Sequence, residues 1–184
     1  GGVQNYSSHC DNVNNLTQAY ATAIDQATAA GISVVVSSGN GYNDTHINAP
    51  ACIQNAIAVG ATNKDDSIAS YSNRNSLVKL LALGTDINSS VRFDLYGQLD
   101  GTSMAAPHVS GAILVLQQYL ALKGLSRTPA QIETLLAGTG KAIIDTTAIT
   151  YKRIDLGAAI ASLDAGAPLI NSVTTNSVND HYGN

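Results

Sequence analysis

Two short stretches carry residue types suited to nucleophilic chemistry. One is Gly101-Thr102-Ser103-Met104-Ala105-Ala106-Pro107-His108-Val109-Ser110-Gly111. A serine hydroxyl is a weak nucleophile until a base removes its proton. A helix N-terminus after a tight glycine turn favours such a serine, because free backbone N–H groups and the helix dipole stabilise developing negative charge. Ser103 has that setting in sequence, although periodicity alone also fits a plain helix cap. The other stretch is Ser37-Ser38-Gly39-Asn40-Gly41. At the end of a buried strand, the Asn40 amide could donate to an oxyanion; an asparagine there also serves as a turn residue tolerant of left-handed backbone.

The elements that must position these residues alternate between helix and strand. Asn12 to Asn15 offers helix-start chemistry. Leu16, Ala19, Tyr20, Ala23, Ile24 and Ala27 then repeat at the spacing of one buried helical face, and Gly31 stops the helix. The apolar, β-branched run Ile32 to Val36 reads as a strand buried on both faces. Further strands are expected over Ala56 to Val59, closed by Gly60, and near Leu77 to Leu83. Val109, Ala112, Ile113, Leu116 and Leu120 continue the Ser103 stretch as a helix. Thr128-Pro129, with Glu133 nearby, begins another, and Arg153 to Leu163 carries a short last one. This order predicts an α/β fold with a largely parallel sheet, whose sites form at the carboxyl ends of strands.

Composition narrows the classes. The 184 residues are 45% hydrophobic, enough for the core of one domain. Only 12% are charged, about half the usual share of roughly 25%. A net charge of −4 without a basic patch speaks against a nucleic-acid partner. No apolar run reaches the ~18 residues that span a bilayer. Cys10 and Cys52 form no C-x-x-C pair, which argues against structural zinc. Abundant Asn, Ser and Thr suggest an extracellular setting, where the two cysteines would form one disulfide; otherwise they are buried free thiols. The chain opens Gly1-Gly2-Val3 with no initiator Met and no charged-then-apolar leader, and reads as a processed or shortened polypeptide.

The two chemical stretches together, with Ala56-Ile57-Ala58-Val59-Gly60-Ala61 and Ala69-Ser70-Tyr71-Ser72-Asn73 between them, resemble the subtilisin-like serine proteases. The resemblance covers roughly Gly1 to Leu163. It implies a three-layer α/β fold, a largely parallel sheet flanked by helices, incomplete in this chain. Residues 1–165 would form the C-terminal part of the catalytic domain and 166–184 a polar tail. Ser103 matches the family's nucleophile. Asn40 matches the side-chain oxyanion donor, with the Ser103 N–H as the second donor. Substrate-binding roles fall on Gly1 and Gly2 (a backbone-pairing edge), on Thr102, and on Ser37, Ser38 and Gly39 facing Ala49, Pro50 and Ala51 (the walls of the specificity pocket). Small wall residues imply room for a large apolar substrate side chain. The resemblance also favours a Cys10–Cys52 disulfide and a secreted or periplasmic location.

Several residues depart from the family pattern or carry no role in it. The family's catalytic Asp and His motifs do not occur here. The expectation is that an N-terminal part of the same protease supplies them and stays bound, and that this chain alone is inactive. His108 belongs to the nucleophile motif but is not the base; at i+5 from Ser103 it lies on a different helical face. His9, His46 and His181 read as surface or loop residues. No metal site is expected in this chain, the tight calcium site of a complete protease drawing mainly on the missing part. Lys79 stands where an acidic residue often helps bind a weak cation, and Asp65 and Asp66 read as solvated. Leu83 replaces a usual proline before Gly84. Expected partners are peptide or protein substrates and a propeptide inhibitor. A pseudo-protease or binding scaffold that keeps the fold is the alternative. An esterase fits less well, because Ala105 takes the last position of Gly-x-Ser-x-Gly.

Overall fold

A computed structural model describes residues 4–165. Glycines 1 and 2, His181 and the polar tail 166–184 lie outside the described residues. Helix α1 (Asn15–Ala29) starts where the sequence predicts. The Asn14 side chain accepts from Leu16 N and Thr17 N, and Thr17 returns the bond in a capping box. Gly31, just beyond the helix end, takes φ +84°, the left-handed conformation that glycine adopts without strain.

The central sheet has the order β2 (Val35–Ser37), β4 (Ile57–Thr62), β5 (Leu80–Leu83), β9 (Thr150–Arg153), β8 (Lys141–Ile144). β2, β4 and β5 are parallel neighbours, with Val35 opposite Ile57 and Val59 opposite Leu80. β9 joins β5 in parallel at Leu81–Arg153 and carries β8 antiparallel on its outer side. Two small antiparallel pairs lie apart: β1 (Asn5–Tyr6) with β3 (Ile47–Asn48), and the hairpin β6 (Ile87–Val91) with β7 (Leu95–Leu99).

Alternation along the strands feeds two cores. Ile57, Val59, Ala61, Leu80 and Ala82 pack against α2 (Thr102–Leu122), α3 (Pro129–Thr139) and α4 (Leu156–Asp164). Ala58 and Leu81 face the opposite way, toward Ala21 and Ile24 of α1, Ile47, Ile53 and the two cysteines. The result is the expected three-layer α/β arrangement. Cys10 and Cys52 are bonded, with Cα atoms 5.4 Å apart and a sequence separation of 42. Closing a loop of that length contributes about 4 kcal/mol in the chain-entropy account.

Val109, Ala112, Ile113, Leu116 and Leu120 of α2 are all buried, as their spacing predicts. Other expectations need correction. α1 buries Thr17, Ala21 and Ile24, whereas Leu16, Ala19, Tyr20 and Ala23 face outward. β2 is half-buried instead of covered on both faces, because it is the sheet's edge; the fully buried strand is β4. β4 also runs through Gly60, where a Cβ would lie 2.7 Å from Leu81 Cδ2. β5 is confined to Leu80–Leu83. Thr128 caps α3 in a reciprocal pair with Gln131, not Glu133. Arg153 ends β9, and the last helix begins at Leu156 behind an Asp155 cap.

Candidate active site

Parallel β2 and β5 bring their carboxyl ends to one side of the sheet. The loop after β2 carries Asn40, and Gly84 follows β5 directly. The Gly101 N–H donates to the Gly84 carbonyl at 2.8 Å, seating the start of α2 on that same side. The approach is too close for side chains: a Cβ on Gly84 would lie 2.7 Å from both the Gly101 oxygen and Ala61 Cβ. Gly101 itself has φ +155°, outside the range L side chains readily adopt.

This junction pins one end of the Asn40 amide. Asn40 Oδ1 accepts from the Thr102 N–H at 2.9 Å and from the Thr102 hydroxyl at 2.7 Å. Thr102 Oγ1 in turn accepts from Gly39 N at 3.2 Å. With Oδ1 held, Nδ2 is the end left to donate. The point where a Gly101 Cβ would sit is 3.1 Å from Asn40 Nδ2 and 3.6 Å from Ser103 N. The structure therefore brings Asn40 and Ser103 together.

The first turn of α2 leaves one donor unengaged. Gly101 N is taken by Gly84, Thr102 N by Asn40, and Met104 N and Ala105 N by the Gly101 carbonyl. Among the described residues, no acceptor engages Ser103 N, and neither Asn40 Nδ2 nor Ser103 Oγ has a hydrogen-bond partner. Ser103 is exposed. Pro107 lacks an N–H, so it cannot return a helical bond to the Ser103 carbonyl. The arrangement offers a hydroxyl and two convergent N–H donors at a helix N-terminus, the elements that hold a developing oxyanion.

A cleft of about 400 Å³ lies beside Ser103, lined also by Ile87, Ser90, Leu99, Met104 and His108. His108 is exposed, and its Nδ1 donates to the Met104 carbonyl one helical turn back, at 2.8 Å. It makes no hydrogen bond to Ser103. No imidazole or carboxylate among the described residues bonds to Ser103 Oγ. His9 is exposed with Nδ1 3.2 Å from the Cys52 carbonyl, and half-buried His46 meets Thr45 Oγ1 at 2.7 Å.

The two expected pocket walls adjoin. Asn48 N donates to the Ser38 carbonyl at 2.9 Å, bringing the chain before Ala49, Pro50 and Ala51 alongside Ser37 to Gly39. The Ala49–Pro50 peptide is cis. Ser38 and Thr102 are buried with their hydroxyls engaged, so both face the protein interior. Gly39 is required: at φ +112°, its Cβ would lie 1.9 Å from Asn48 Oδ1. Asn73, to which the sequence assigns no role, is a buried partner of this loop.

The residues at the weak-cation position do not fit a metal. Lys79 Nζ donates to the Gln54 carbonyl at 2.9 Å and pairs with Glu133 at 3.1 Å, so an ammonium already occupies the place. Asp66 is partly exposed and, beyond the solvation expected for it, forms ion pairs. It pairs with Lys141 Nζ and Arg153 Nε, each at 2.6 Å, and its hydrogen bond from Lys141 leads in holding its carboxyl below the usual value. Asp65 is exposed and accepts from Ser67.

The sequence matches the family model described as the subtilase family over residues 2–184. Proteinase T of Parengyodontium album is 45% identical over 89 residues, covering 48% of this chain and 30% of the relative. An extracellular protease of Xanthomonas campestris pv. campestris is 36% identical over 128 residues, covering 66% of this chain and 22% of the relative. The crystal structure of a cold adapted subtilisin-like serine proteinase aligns with a TM-score of 0.66 at 33% identity, over 74% of this chain and 49% of that one. The chain spans less than half the length of each.

Proposed function

Because the chain belongs to the subtilase family, we propose that it is the nucleophile-bearing part of a secreted serine endopeptidase. One observation carries this reading: Thr102 fixes Asn40 Oδ1, and among the described residues Asn40 Nδ2 and the Ser103 N–H are both unengaged beside an exposed hydroxyl. Ser103 Oγ attacks the scissile carbonyl carbon and passes its proton to a histidine. The carbonyl oxygen becomes an oxyanion facing Asn40 Nδ2 and Ser103 N–H. The C–N bond then breaks, and the amine leaves with that proton. Water, deprotonated by the same histidine, hydrolyses the ester and restores Ser103.

The histidine and its orienting aspartate come from a segment outside this sequence, and this chain alone does not turn over substrate. The surface supports such a partner. Among the described residues β2 has no strand on its outer side, and Leu16 and Tyr20 of α1, Leu114 and Val115 of α2, and Ile32 before β2 are exposed. The pocket between residues 37–39 and 49–51 accepts a large apolar side chain. Gly1 and Gly2 pair with the substrate backbone. Secretion is supported by the disulfide and by a relative named as an extracellular protease.

A fluorophosphonate probe applied to the complete protein tests the reading. Ser103 becomes phosphonylated, and Ser103→Ala abolishes labelling while folding is retained. A folded wild type that stays unlabelled contradicts it and leaves a scaffold without catalysis.

A further inference from the structure

Asn40 is held on one side by Thr102, but its own backbone needs a second anchor. The anchor is Asn73, a polar residue only 1% exposed, in the loop between β4 and β5. Its backbone N–H donates to the Gly39 carbonyl at 2.8 Å. Its carbonyl accepts from Ser38 Oγ at 2.6 Å. Its side-chain Oδ1 accepts from Gly41 N at 2.7 Å and Asn43 N at 3.2 Å. Its Nδ2 donates to Asn48 Oδ1 at 2.9 Å. A single residue thus bonds the backbone immediately before and immediately after Asn40, and ties that loop to the neighbouring pocket wall. Gly39 and Gly41 make room for it: a Cβ on Gly39 would lie 2.5 Å from Asn73 Nδ2, and one on Gly41 3.1 Å from Asn73 Oδ1.

We propose that Asn73 is a positioning residue for the oxyanion donor. It fixes residues 38–43 so that Asn40 Nδ2 faces the Ser103 N–H before substrate arrives. An amide suits this position because it both accepts from two backbone N–H groups and donates to Asn48. Serine is too short to do both, and aspartate would bury an unpaired charge against Asn48 Oδ1. The inference rests on the catalytic reading above. Asn73 touches no reacting atom and acts through Asn40.

The test is a double-mutant cycle in the complete protein, with kcat and KM measured on a peptide substrate for wild type, Asn73→Ala, Asn40→Ala and the double variant. Displacing a catalytic group by about an ångström costs on the order of 10- to 100-fold, and a loss of that size in kcat is expected for Asn73→Ala. KM stays within about twofold, as for an interaction made only in the transition state. In the Asn40→Ala background, Asn73→Ala changes kcat by less than about twofold, because the two residues act as one unit. An equal loss in both backgrounds, an unchanged kcat, or a change confined to KM overturns the proposal. If Asn73→Ala does not fold, Ser38→Ala removes only the hydroxyl bond to the Asn73 carbonyl. It lowers kcat modestly when Asn40 is present and not when it is absent, and the same loss in both backgrounds again overturns the idea. Fluorophosphonate labelling of the wild type comes first, so that failure of the catalytic reading is separable from failure of the positioning role.

Discussion

At one edge of the sheet β9 and β8 fold back on each other, and α3 and α4 close over that half of the core. At the other edge β2 is half-buried with no strand beyond it among the described residues, and α1 turns Leu16 (57% exposed) and Tyr20 outward. Ile32 and Leu114 are exposed and line one surface hollow with Val35 of β2. Among the described residues one flank is finished by a hairpin and two helices; the other presents a free strand edge and exposed apolar side chains. The candidate site lies at the carboxyl end of β2, on the open flank. Asn40 and Ser103 meet there, and among the described residues no histidine or carboxylate bonds to Ser103 Oγ.

Substitutions on the two flanks should therefore behave differently. The largest effect is expected at Leu136, fully buried on the finished side. Leu136→Ala removes that packing and lowers unfolding stability by about 3 kcal/mol, read by denaturant unfolding. A loss below about 1 kcal/mol would mean that this core is loosely packed.

An intermediate effect is expected at Asp145, which pairs with Arg74 at 2.8 Å near the β8–β9 turn. Burial pushes the Asp145 carboxyl up, but bonds from Arg74, Thr147 and the Thr146 backbone outweigh it and leave it at about 2. A depressed carboxylate stabilises the fold above its unfolded value near 4 and loses that contribution as pH falls through about 2. Asp145→Asn should cost roughly 2 kcal/mol at pH 7, with the gap to wild type closing toward pH 2. A pH-independent gap would show that the pair is not the cause.

The smallest effect is expected at Leu16. In this chain alone, Leu16→Ser changes stability by less than about 0.5 kcal/mol. In the complete protein it becomes clearly destabilising, because the same side chain is then covered. Equal, small effects in both settings would remove the argument that this flank receives a partner.

The same contrast explains what could be read from sequence. The buried face of α2 was legible because one sheet face covers one apolar stripe, from Val109 to Leu120. The face of α1 was not, because the helix carries two apolar sides. The sheet takes the narrower side of Thr17, Ala21 and Ile24, while the stripe richer in large residues points away. Ile32 to Val36 has the composition of a central strand, and sequence does not reveal that this chain leaves it at an edge. The β6–β7 hairpin is not legible because Asn88, Ser89 and Ser90 are exposed and give no period-two alternation. The β8–β9 hairpin is hidden because Arg153, which ends β9, runs in sequence straight into the apolar pattern of the last helix. Ser103 and Asn40 were legible through a long, specific motif pair. Asn73 was not, since a buried asparagine with six hydrogen-bonding partners looks in sequence like any loop asparagine.

The most direct test of the convergence of Asn40 and Ser103 is a crystal structure of the complete protein with a peptide aldehyde bound. The account predicts a tetrahedral adduct on Ser103 Oγ whose oxygen sits about 2.7–3.1 Å from both Asn40 Nδ2 and Ser103 N. An adduct whose oxygen turns to solvent, or one formed on another residue, would contradict it.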